Sequence, residues 1–197
     1  MIAVTLASQS ATRAAILRGA GVDFETVASG IDEEAVKPAL LEGGGTPRSV
    51  AAVLATLKAV AVSRTRPGLV IGADQTLDLD GVLCGKATDM GEARRCLKSL
   101  RGRTHELHAA VVVAREGSAV WRLTETASLT MRAFSDTFLD RYLARAGEAV
   151  LSSVGGYQIE GEGAQLFEVI DGDYFSILGL PLLPLLGVLR REGALDA

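Results

Sequence analysis

The chain has 197 residues, enough for one large domain or two tightly joined halves. Hydrophobic residues make up 48% and charged residues 22%, the balance of an ordinary globular core. A net charge of −4 with no basic stripe, and only 5% aromatics, exclude a counterion-driven nucleic-acid binder and a base-stacking platform.

The N-terminus, MIAVTLASQSATRAAIL, lacks a basic leader and is interrupted early by Arg13 and Arg18, so it does not read as a signal peptide. The C-terminal run ILGLPLLPLLGVL is too short and too proline-rich for a membrane span of about 20 residues. Cys84 and Cys96 have neither metal-ligand nor redox spacing and read as reduced thiols of a cytoplasmic protein.

In chain order, residues 2–6 form a β-branched strand, followed at once by a hydroxyl-rich turn, Ser8-Gln9-Ser10. Ser10 is placed to cap a helix whose buried pair is Ile16 and Leu17 and whose stop is Gly19 to Gly21. A strand, turn and helix start of this kind presents free backbone N–H groups to an anion, with Ser8, Ser10 and Arg13 as added donors. The plainer alternative is that the serines only cap the helix and Arg13 is solvated. Residues 24–27 alternate as a second strand. Gly30 to Glu34 is an acidic cluster expected in a loop, either solvated or a source of a metal carboxylate.

After three glycines, Thr46-Pro47 starts a helix running to about Arg64. Its apolar stripe is expected to be Val50, Val53, Leu54, Leu57, Val60 and Ala61, with Lys58 beside it, snorkelling to solvent. Next comes VIGADQTLDLDGVLCGK, residues 70–86. Its first apolar run is expected to end at Gly72-Ala73-Asp74, a carboxylate at the end of a buried strand. The run then resumes and reverses at Asp80-Gly81, a strong hairpin signal that returns Lys86. An acid and a lysine on one hairpin suit metal-assisted chemistry on phosphate.

Asp89 with Glu92 opens another helix in capping-box style. Two long alternating segments, 104–115 and 120–131, joined at Glu116-Gly117-Ser118, read as an antiparallel pair. His105 and His108 on it are three apart, hence on opposite faces, and read as structural. Ser135 caps a helix over 136–146 ended by Gly147. The Gly-rich stretch 155–163 lets backbone approach a ligand or another strand. A strand over 164–170, a turn at 171–173 and a closing helix over 181–191 complete a mostly α/β order, read as one domain spanning 1–197.

These ordered blocks resemble the Maf family of nucleoside triphosphate pyrophosphatases, once described as septum formation inhibitors. LASQSATR is similar to the family's LAS-x-SPRR loop, Asp32-Glu33 to its DE pair and Leu57-Lys58-Ala59 to its KA motif. GAD, LDG and GK match its central block, LRGRTHEL its L-x-GRTHEV entry, and GGYQIEG, FEVIDGDY and GLPL its ending. The resemblance implies an ITPase-like α/β fold with a mixed twisted sheet, a long antiparallel section, flanking helices and an active site in a cleft between two lobes. It implies hydrolysis between the α and β phosphates, house-cleaning of modified nucleotides, Mg²⁺ or Mn²⁺ dependence and a homodimer, with no nucleic-acid or membrane partner. It assigns Asp74 as general base, Glu33 and Asp74 to the metal, and Lys58, Lys86, Ser8, Ser10 and Arg13 to the triphosphate.

Three family positions tied to base choice fall on Thr12, Gln75 and Glu160. Gln75 and Glu160 match the 7-methyl-GTP branch, where a carboxylate accepts from the guanine edge and offsets the charge of the methylated ring. Thr12 lacks the aromatic that would stack on the base. Ala11 and Ala87 replace two family prolines, a change in stiffness. The alternatives are a dTTP/UTP pyrophosphatase and a non-catalytic nucleotide-binding regulator of division.

Overall fold

In the computed structural model, which describes residues 2–196, the expected α/β order holds: a seven-stranded mixed sheet is flanked by helices. The strands are β1 (Val4–Ala7), β2 (Glu25–Thr26), β3 (Leu69–Leu79), β4 (Val82–Cys84), β5 (Thr104–Arg115), β6 (Ser118–Met131) and β7 (Phe167–Asp171). Their order is β2-β1-β3-β5-β6-β7, with β4 on β3. β1 is parallel to β2 and β3, whereas the β3–β4 and β6–β7 pairs are antiparallel. The helices are α1 (Ala11–Gly19), α2 (Glu33–Glu42), α3 (Pro47–Ser63), α4 (Met90–Leu100), α5 (Asp136–Ala146), α6 (Tyr174–Ile177) and α7 (Leu182–Arg191). Among the described residues no helix is long and apolar enough to cross a membrane.

The turns follow local chemistry. Asp80 and Gly81, at φ 54° and 83°, make the tight β3–β4 reversal, and Glu116 and Gly117, at φ 51° and 78°, that between β5 and β6. Ser10, Thr46, Asp89 and Ser135 each cap the helix expected after them.

The sequence reading needs correction at four places. Residues 33–42 are helical, capped by Asp32, not a loop. Ala164 and Gln165 lie in a 3₁₀ turn, so the last strand starts at Phe167. Asp74 sits in the middle of an 11-residue strand, which does not break at Gly72. The buried face of α3 is Val50, Ala51, Leu54, Ala55, Lys58, Ala59 and Val62, while Leu57 is exposed. Small alanines define that face, and a count of bulky residues points it in the wrong direction.

The chain divides into two compact units. The first comprises residues 1–75, 108–125 and 173–197. Its main core joins Val4, Leu6, Leu17, Leu69, Ile71, Val111, Val113, Leu185 and Leu189. Full burial of each such side chain is worth about 1.5–3 kcal/mol. A second cluster, Ala51, Ala55 and Ala59 against Ala110, Val112 and Ala114, lays α3 close on the sheet.

The second unit comprises residues 76–107 and 126–172. It holds a ring cluster of His105, Tyr157 and Phe167, in which His105 Nε2 and Tyr157 Oη are 2.7 Å apart. Burial pulls His105 down to about 4, so its ring is neutral, as a structural histidine should be. Arg94 and Arg101 of α4 and its C-cap pair with Asp140 and Asp136 of α5.

Candidate active site

Gly72 decides how close α3 approaches β3. A Cβ at Gly72 would stand 2.3 Å from the Ala55 carbonyl oxygen and 2.8 Å from Ala59 Cβ, so only a residue without a side chain fits. Residues two apart on a strand share a face. Asp74 therefore projects on the side of β3 that α3 covers, and Lys58, one turn from Ala55, reaches it.

Lys58 is buried, not snorkelling as expected, because its ammonium is neutralised at both ends. Its Nζ lies 2.6 Å from Asp74 Oδ1 and 2.6 Å from Glu33 Oε1. Glu33 enters on the first turn of α2, where its Oε2 also accepts from Lys37 Nζ at 3.0 Å, an i,i+4 pair. Burial alone would raise the Glu33 carboxyl; hydrogen bonds and charge from Lys58 and Lys37 outweigh it and hold it down at about 2. Lys37 escaped the sequence reading because α2 did.

Asp74 is 5% exposed, and its Oδ2 is buried without a hydrogen-bond partner among the described residues. A buried, unmatched carboxylate oxygen is costly unless something else satisfies it. With Glu33 facing the same ammonium, the donors are hard oxygens, which fit Mg²⁺ or Mn²⁺ better than a soft ion.

The Ser8–Arg13 turn belongs to the same unit; Ser10 caps α1 as expected, but Arg13 is buried and not solvated. Ser10 accepts from Arg13 N as the α1 cap, and Ser8 Oγ accepts from Ser10 N at 3.2 Å. Arg13 is buried. Its Nη1 donates to Ser8 Oγ at 3.2 Å and to the Ala73 carbonyl at 3.1 Å, while Nε donates to the Gly179 carbonyl at 2.8 Å. Burial lowers its pKa, countered by the charges of Asp74 and Glu33. Gln75 Nε2 donates to the carbonyls of Ser176 and Ile177 at 3.1 and 2.9 Å. Thr12 is half-buried on α1.

The structure thus brings Glu33, Lys58 and Asp74 into contact, with Ser8, Arg13 and Gln75 tied around Ala73–Gln75. Lys86 and Glu160 are carried by the second unit. The Lys86 backbone bridges to Val154, and Glu160 is exposed in the Gly-rich segment. The groove lined by Phe138, Arg141, Tyr142, Arg145, Glu162 and Gln165 also lies in that unit and contains none of the candidate residues.

Asp74 is thus a buried acid with one unpartnered oxygen, bridged through Lys58 to Glu33, in the same unit as the capped Ser8–Arg13 turn. Residues 3–192 match the Maf-like protein family, and the chain belongs to it. A relative from Caulobacter vibrioides, named nucleoside triphosphate pyrophosphatase, is 60% identical, covering 98% of this chain and 96% of its own. One from Brucella abortus, named 7-methyl-GTP pyrophosphatase, is 52% identical over 99% of this chain and 98% of its own. A solved HAM1 protein from Coxiella burnetii aligns with 68% of this chain and 75% of its own at 15% identity and a TM-score of 0.44.

Proposed function

We propose that this protein is a nucleoside triphosphate pyrophosphatase. It cleaves between the α and β phosphates, releases the monophosphate and pyrophosphate, and so clears modified nucleotides from the pool. The observation that carries this reading is the buried Asp74 carboxylate, with Oδ1 held by Lys58 and Oδ2 without a hydrogen-bond partner among the described residues. The family membership and the names of its relatives support it.

The residues divide the work as follows. Lys58 fixes the Asp74 rotamer through Oδ1, leaving Oδ2 to accept the proton of the attacking water. Glu33 anchors Lys58 from the far side, so the ammonium holds its place while the site is charged. Ser8 and Ser10 offer hydroxyls at the start of α1, where backbone N–H groups favour an anion. Asp74 and Glu33 would hold a divalent cation, which supplies positive charge against the triphosphate. Lys86 on phosphate and Glu160 on a guanine edge complete the proposal, with 7-methyl-GTP or a related nucleotide as substrate and a homodimer as the assembly. A non-catalytic role in division is not favoured by the relatives' names.

The test is a panel of canonical and modified triphosphates with Mn²⁺ or Mg²⁺, read by pyrophosphate release. Release from a guanine-type nucleotide is expected. Preference for dTTP and UTP over 7-methyl-GTP would refute the base assignment, and no release from any triphosphate would refute the class.

A further inference from the structure

The charges of α5 are sorted by face. Its two acids are taken by α4 and its C-cap: Asp136 accepts from Lys98 Nζ at 3.1 Å and Arg101 Nη1 at 2.7 Å, and Asp140 from Arg94 Nε at 2.9 Å. Phe138, Arg141, Tyr142 and Arg145 follow at i, i+3, i+4 and i+7, so they share the opposite stripe of the helix. That stripe and the 3₁₀ turn Glu162–Leu166 enclose a groove of about 170 Å³, with Glu162 and Gln165 on the side of the turn. Two positive charges four residues apart on one helix repel each other, and the acids of α5 that would offset them are engaged elsewhere.

The lining favours an anion. Arg141 has no carboxylate partner among the described residues; its Nε donates to the Thr137 carbonyl at 3.4 Å. Arg145 faces one acid, Glu162, whose Oε1 lies 3.6 Å from Nη1. That pair is exposed and beyond hydrogen-bond range, so it holds weakly. A third guanidinium, Arg132, stacks on Phe138 with Cζ 4.8 Å from the ring centroid, and its Nε donates to the Gln165 carbonyl at 2.6 Å. Tyr142 is buried and donates to the Gly156 carbonyl at 3.3 Å. Burial pushes its phenol up to about 12, so it brings no negative charge. Three guanidiniums therefore stand at this groove against one lining carboxylate.

We infer that the α5 groove is a binding site for a small phosphate oligoanion, with pyrophosphate as its ligand and the Arg141 and Arg145 guanidiniums as its receptors. A planar guanidinium grips a phosphoryl group through two N–H donors, and two of them one turn apart offer one to each end of a diphosphate. The volume is below the roughly 300–1,000 Å³ of pockets that enclose drug-sized ligands, which leaves out a whole nucleotide. Pyrophosphate is the product of the reaction proposed above, and only this choice of anion rests on that reading. Glu162 competes with the ligand for Arg145 and is displaced when it binds.

The experiment is calorimetric titration of the full chain with sodium pyrophosphate in EDTA, where no metal ion offsets the Asp74 and Glu33 carboxylates, repeated with phosphate and with sulfate. Wild type is expected to bind saturably, with pyrophosphate ahead of the two single anions by about 10-fold or more. Arg141→Gln combined with Arg145→Gln is expected to weaken pyrophosphate by about 10-fold or more, whereas Glu162→Gln, which removes the competitor, should tighten it by about threefold. Arg132 stays in place because its bonds to Phe138 and Gln165 hold structure. Both variants are expected to keep kcat and KM for triphosphate hydrolysis within about twofold of wild type. Absence of saturable binding to wild type, or equal binding by the double variant, would overturn the inference. Sulfate held as tightly as pyrophosphate would overturn the diphosphate assignment. A raised KM in the double variant would assign the groove to the substrate site and overturn it as a site of its own. Binding is read without substrate, so a chain that binds pyrophosphate through Arg141 and Arg145 but hydrolyses no triphosphate would defeat the functional reading and leave the groove site standing.

Discussion

Gly72→Ala tests how the site is assembled, because that residue contributes no side chain to it and acts only through backbone spacing. The added Cβ would meet the Ala55 carbonyl at 2.3 Å, which falls 1.1 Å short of the 3.4 Å where ordinary contact begins. That obstacle is helix backbone, so α3 has to retreat as a body. Lys58 rides on α3, one turn after Ala55, and its 2.6 Å contact with Asp74 would open to as much as about 3.7 Å, beyond hydrogen-bond range. Overpacking of this kind costs about 1–3 kcal/mol. For a chain of this length that lowers the melting midpoint by about 2–12 °C. Because Asp74 loses its anchor, pyrophosphate release should fall more steeply than stability, by about 10-fold or more well below the midpoint. Thermal unfolding followed by circular dichroism, with steady-state pyrophosphate release on the same preparation, measures both. A Gly72→Ala protein with wild-type melting and wild-type kcat would refute the argument that glycine at this position sets the reach of Lys58.

Other expectations follow from the same contacts. Lys58→Ala leaves a buried Asp74 uncompensated and should cost about 3–5 kcal/mol in chemical denaturation; Lys58→Arg should recover part of that, having kept the charge. Glu33 titrates near 2 when folded and near 4.3 when unfolded, so its stabilisation is present above about 4.3 and lost as pH falls towards 2. Glu33→Gln should flatten the melting-versus-pH curve in that window. His105 is held neutral down to about 4, whereas the unfolded chain binds that proton from about 6.5. Stability should therefore fall as pH drops from about 6.5 to 4, and His105→Phe should remove that component.

How much of this was legible depended on the range of the interaction that decides each feature. Local chemistry was readable: the Asp80-Gly81 and Glu116-Gly117 turns, and the caps at Ser10, Thr46, Asp89 and Ser135, depend on neighbours within a few residues. Helix α2 was obscured because Asp32-Glu33-Glu34 looks like a solvated run, although Asp32 is its cap and two acids in the first turn suit the helix dipole. Burial of Lys58 could not be seen from α3 alone. It requires Glu33 from one helix and Asp74 from a strand, while the alanines that turn this face inward carry little hydrophobic signal. Arg13 lay furthest from reach, since its Gly179 partner is 166 residues away and a backbone carbonyl has no side-chain signature. The family's ordered motifs supplied the candidate list. What the side chains do for one another came from the contacts.

The most direct test of the account is kcat/KM for pyrophosphate release with Mn²⁺, compared between wild type and Asp74→Asn. The asparagine keeps the shape and the contact with Lys58 but cannot take the proton. The account predicts a loss of about 100-fold or more, measured well below the variant's melting midpoint. Release by Asp74→Asn at near wild-type rate would contradict it.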